Sequence, residues 1–145
     1  AGDVCPIGER RALVYDRRMS ESRPVPSVVV FVHDVERVSA FYEGLAGMRR
    51  VSGDRSHTVL EIDGFQIVVH QLRGGPAPGG AVEACEDSYL KVCLPVDRIA
   101  AARERAAALG GFVKPPKAEW EARGFRACDG HDPECNVIQV RESAG

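Results

Sequence analysis

No apolar run in this 145-residue chain approaches the ~18 consecutive residues that a membrane-spanning helix needs. The first residues carry no long apolar stretch of the secretory type. Neither sign of charge dominates: 19 Lys and Arg stand against 21 Asp and Glu, a formal net charge of -2. No basic face of the kind that nucleic-acid binding needs is visible. The five cysteines are an odd number without a C-x-x-C pair, which argues against a disulfide framework and a zinc knuckle. What remains is 44% hydrophobic and 28% charged, ordinary for one globular domain, expected in the cytoplasm with reduced thiols.

What the chain does have is repetition. A β-branched run ending at Val32 leads through Asp34 into a helical segment, residues 35–46, closed by Gly47. A second such run, Val92 to Val96, leads through Asp97 into an Ala-rich helical segment, 98–109, closed by Gly110. Asp34 and Asp97 are 63 residues apart (97 - 34), as are Gly47 and Gly110 (110 - 47). Each helix is followed by strand-like runs, 49–52, 57–62 and 65–72, then 112–114, 124–128 and 136–141. Each half carries an Asp-Gly pair, Asp63-Gly64 and Asp129-Gly130, and the first reads as a hairpin turn. Residues 115–123, with Pro115-Pro116 and the only tryptophan, Trp120, read as a loop. The division is an extension at 1–26, a first module at 27–73, a Gly/Pro linker within 74–88 and a second module at 89–142. Modules of this size are marginal alone and should share a core.

The repeated β-α-β-β-β unit, with a helix containing Phe41-Tyr42-Glu43, Leu45 and Gly47, resembles the vicinal oxygen chelate superfamily of glyoxalases, bleomycin-resistance proteins and extradiol dioxygenases. Asp132-Pro133, Asn136, Ile138 and Gln139 resemble its DP-x-GN-x-(I/L)-E ending, with Cys135 in the place of its glycine. The resemblance covers residues 27–142. It implies an α+β fold in which two βαβββ modules cup into a half-open barrel of mixed sheet. It also implies a small-molecule ligand and a homodimer. Metal-using members hold a divalent ion with one residue from the first and one from the last strand of each module. By position these are Ser27, His70, Lys91 (Leu90 on a strict count) and Gln139. A cation and a neutral amide are poor metal donors, so no metal cofactor is expected. A divalent ion held by His70 and Glu61 is the alternative.

Period-two alternation places Glu61 and His70 with Gln66, and Gln139 with Arg141, on cavity faces. Lys91 and Cys93 join the second set. Trp120 and Phe125 are either packing at a sheet edge or the aromatic wall of a pocket. Ser27, Glu61, His70, Lys91, Cys93, Trp120 and Gln139 are therefore the candidate ligand-binding residues, and no catalytic residue is assigned. The expected function is binding of a small organic molecule without the usual metal. The alternatives are a metal-dependent or metal-free lyase, isomerase or dioxygenase, and a regulatory module distinguished by its leader. His33, His57 and His131 are expected in solvent.

Overall fold

The structure is a computed structural model that describes residues 24–73, 84 and 88–144. The 1–26 extension up to residue 23, the 74–80 linker, Cys5 and Cys85 lie outside the described residues. The elements run β1 (Ser27–Val32), α1 (Val35–Ala46), β2 (Arg49–Gly53), β3 (His57–Ile62) and β4 (Phe65–Gln71). Then follow β5 (Val92–Pro95), α2 (Ile99–Ala108), β6 (Phe112–Val113), a 3-10 turn (Pro116–Ala118), β7 (Trp120–Ala122), β8 (Phe125–His131) and β9 (Val137–Ser143). The first sheet has the order β1-β4-β3-β2 and the second β5-β9-β8-β6, with β7 also on β8. In each, the first strand pairs with the last in parallel and the other pairs are antiparallel. This is a glyoxalase-like α+β fold of two modules without a closed barrel.

Alternation explains the core. In β1 and β4, Val30, Val32, Ile67 and Val69 point inward; in β5 and β9, Leu94, Ile138 and Val140 do the same. They meet Val38, Phe41, Tyr42 and Leu45 of α1 and Ile99, Ala102 and Ala106 of α2 in one shared cluster. The helices pack closely because glycine lines the contact. A Cβ on Gly44 would collide with Leu109, and one on Gly111 with Phe41. Each helix start is capped differently. Asp34 accepts the Arg37 amide at 3.0 Å. At α2 no local cap exists, and Glu142 of β9 accepts the Ile99 amide at 2.6 Å.

The Asp132-to-Asn136 turn clasps the two modules. Asp132 is fully buried and accepts from the Glu134 and Asn136 amides, the Asn136 side chain and the Tyr42 hydroxyl of α1. Glu134 reaches back to accept the His33 and Asp34 amides, each at 2.7 Å. Cys135 adopts φ +65, the left-handed conformation that favours the family's glycine. The turn is kept and the side chain is accommodated with strain of about 1 kcal/mol.

Two sequence expectations change. Residues 115–123 are not a loop throughout: Trp120–Ala122 forms β7 against β8, as Trp120 opposite Ala127. The second hairpin turn is Arg123-Gly124, with φ 45 and 81, matching Asp63-Gly64 at 48 and 76. Asp129-Gly130 instead lies inside β8, which runs to His131.

Candidate functional site

Each sheet turns one face to its helix and leaves the other open. On the second sheet, Cys93 stands opposite Gln139, Gln139 opposite Asp129, and Arg141 opposite Ala127. Lys91, two residues before Cys93, shares that face by parity, as the alternation predicts; Leu90 is exposed on the other phase. The side chains are joined. Lys91 Nζ donates to Asp129 Oδ2 at 2.9 Å, and Gln139 Nε2 donates to Asp129 Oδ1 at 3.0 Å. Arg141 Nε donates to Gln139 Oε1 at 2.7 Å, and the Cys93 thiol approaches the same oxygen at 3.7 Å. Burial pushes the Asp129 carboxyl up, but the bonds from Gln139 and Lys91 outweigh it and hold the group below its ordinary value. Gln139 is 6% exposed, so its amide orientation is set by this network.

The network continues into an aromatic shelf. The Arg141 guanidinium lies 4.6 Å from the Phe125 ring centroid, and Trp120 meets Phe125 edge-on at 6.2 Å. Trp120 is held there by a strap. Arg103 of α2 donates to the Lys114 carbonyl and the Glu119 carboxylate, both at 2.6 Å. At the other end of the face, Lys91, Lys114, Phe112, Asp129, His131 and Val137 line a cavity of about 190 Å³.

The first sheet carries a separate set. Ser27 stands opposite Gln66, and Glu61 opposite Gln66 from the other side. Glu61 accepts from Gln66 and from Arg49. His70 lies beside Phe31 of β1 and opposite His57 of β3. Thus the structure brings together Lys91, Cys93, Trp120 and Gln139, and places Ser27, Glu61 and His70 on the other sheet.

The register also revises the matching of positions. Val28 pairs with Ile67 as Val92 pairs with Ile138. The counterpart of Gln139 is therefore Val68, and that of His70 is Arg141. Glu61 stands opposite Gln66, four residues before His70 on β4 and about 13 Å away along the strand, so Glu61 and His70 are too far apart to share one ion. Among the described residues, no group of three or more His, Cys, Asp or Glu side chains is placed to hold a metal.

Asp129 is the functional-site residue that sequence reasoning missed. The sequence pattern ends that strand at residue 128, and only the extension of β8 through His131 turns Asp129 onto the face opposite Gln139.

The family model of the glyoxalase-like domain matches residues 27–140. The chain belongs to this family. It shares its fold with the wider vicinal oxygen chelate superfamily. Among solved structures, it is similar to an integron cassette protein from V. cholerae, at 21% identity and TM-score 0.56, over 83% of this chain and 94% of that one. It is similar to the fosfomycin resistance protein FosX from Mesorhizobium loti, at 19% identity and TM-score 0.57, over 84% and 92%. A glyoxalase/bleomycin resistance protein/dioxygenase family enzyme from Burkholderia phytofirmans matches at 17% identity and TM-score 0.59, over 81% and 96%. Another FosX, from Listeria monocytogenes, is described in complex with Mn(II) and 1S,2S-dihydroxypropylphosphonic acid. No curated protein matches the chain. At these identities the likeness carries the fold of this glyoxalase-like domain and not its reaction.

The residues at the family's metal positions are a poor fit to a divalent ion. With the register applied they read Ser27, Val68, Lys91 and Gln139. None is an imidazole or carboxylate, and Lys91 brings a positive charge already paired with Asp129.

Proposed function

We propose that this glyoxalase-like domain binds a small organic molecule on the open face of its second sheet, without the metal that the family positions would hold. The observation that carries this reading is the Asp129 carboxylate, taken up by Lys91 and Gln139 together. Both second-module positions are thereby spent on an internal ion pair. The Arg141–Phe125–Trp120 shelf supplies a cation beside two rings, chemistry suited to an aromatic anion. The proposal includes a homodimer and a cytoplasmic location. The dimer rests on the resemblance to the family, and the location on free thiols without C-x-x-C spacing.

The test uses Trp120 as its own reporter, since it is the only tryptophan and is 43% exposed. Protein dialysed against EDTA is titrated with benzoate, salicylate and phenylphosphonate. The expected result is a saturable change in Trp120 emission with at least one of them. Arg141→Gln should weaken it roughly tenfold or more, the loss of one charged contact. No change with any probe, or one untouched by Arg141→Gln, contradicts the reading.

A further inference from the structure

Outside that face, the first sheet carries two imidazoles arranged alike. His57 of β3 and His70 of β4 are direct cross-strand partners. The Gln71 amide donates to the Ser56 carbonyl at 2.8 Å, so Ser56 and Gln71 form a hydrogen-bonded pair. By the alternation of antiparallel strands, His57 and His70 are then a non-hydrogen-bonded pair, the kind with Cα atoms only ~4.5 Å apart. Their rings lie 6.0 Å apart between centroids, with planes 16° from parallel.

The second observation is what each ring does with its inner nitrogen. His70 Nδ1 lies 2.9 Å from the Gln71 carbonyl. A carbonyl only accepts, so Nδ1 carries the proton and the neutral ring bares its lone pair at Nε2. His57 Nδ1 lies 3.0 Å from Asp54 Oδ1. The same Asp54 oxygen also accepts from the Ser56 amide and hydroxyl, each at 2.7 Å, so it too stands as an acceptor. Among the described residues, neither Nε2 has a partner. A carboxylate or carbonyl behind Nδ1, with Nε2 open, is the outer-shell arrangement of metal-binding histidines. Phe31 packs on His70 at 5.6 Å and restricts its rotation.

We propose that His57 and His70 form a two-imidazole site for a borderline transition ion such as Ni²⁺, Cu²⁺ or Zn²⁺, with the remaining coordination positions open. Two nitrogens without a carboxylate ligand favour these ions over Mg²⁺, Ca²⁺ or Mn²⁺. His57 is outside the family's ligand positions, and the register moves His70 out of them as well. The site is independent of the proposed ligand face, which is tested without metal through Trp120.

The test is calorimetric titration of the dialysed protein with Ni²⁺, together with ¹H–¹³C spectra of the imidazole groups. One equivalent should bind, and the paramagnetic ion should broaden the His57 and His70 resonances before those of His33 and His131. His57→Gln and His70→Gln should each abolish saturable binding while keeping the wild-type melting transition. Asp54→Asn should weaken it about tenfold, the usual cost of losing an outer-shell partner. Three outcomes overturn the site: no saturable Ni²⁺ binding, binding that survives His57→Gln, or binding that disappears in Gln139→Ala.

Discussion

Tyr42 and Asp132 decide how the two modules hold together. Both are fully buried, and the hydroxyl donates to the carboxylate at 3.0 Å. Burial raises the Asp132 pKa above 3.8, against the lowering effect of bonds from Asn136, Glu134 and Tyr42. Burial first, then the charge and hydrogen bond of Asp132, raises Tyr42 as well. Because the folded pKa of Asp132 lies above its unfolded value, its contribution to stability is full below 3.8 and is lost as pH rises through the raised value. Tyr42→Phe removes one lowering bond. Denaturant unfolding should find the variant about 1.5–3 kcal/mol less stable at neutral pH. The deficit should shrink in acid, where Asp132 is protonated in both proteins. An equal deficit at all pH values would mean that Tyr42 acts through packing alone.

At the scale of elements, β8 and its neighbours separate what the sequence revealed from what it hid. The strands with clean alternation were legible: His57–Ile62 falls where the pattern put it, and Phe65–Gln71 within one residue. The edge opposite β8 was not, because the chain there leaves the sheet between Val113 and Trp120 through Pro115-Pro116 and the 3-10 turn. Two prolines in a short segment look like a loop, and they conceal a three-residue strand. The turn into β8 is hidden in the same stretch, because Arg123-Gly124 is a weaker hairpin signal than Asp-Gly. What holds this detour is Arg103, which binds the Lys114 carbonyl and Glu119 from α2, with Glu119 17% exposed at its side chain. Arg103→Ala should destabilise the protein by about 2 kcal/mol and expose Trp120, seen as red-shifted emission and faster acrylamide quenching. Unchanged Trp120 emission would show that β7 is fixed by its pairing with β8 alone.

For the molecule as a whole, the family was legible because the repeat and the Asp132-Pro133 ending are local patterns. The site was legible only as a list of residues. Lys91 and Asp129 are 38 positions apart, and no local pattern says that they meet at 2.9 Å. Nor could the sequence tell Val68 from His70 as the counterpart of Gln139, since both share a face of β4 and only the β1–β4 and β5–β9 registers separate them. The resulting account is of a two-module fold kept, with the second module's metal positions turned into an ion pair with Asp129 and a bound amide.

That claim is tested most directly with Mn²⁺, the ion described in a FosX structure and one that the His57–His70 pair would hold weakly. Electron paramagnetic resonance of Mn²⁺ titrated into the EDTA-dialysed protein measures the free ion. The account predicts that wild type leaves the free-ion signal undiminished. Stoichiometric loss of that signal in wild type, restored by Gln139→Ala, would contradict it.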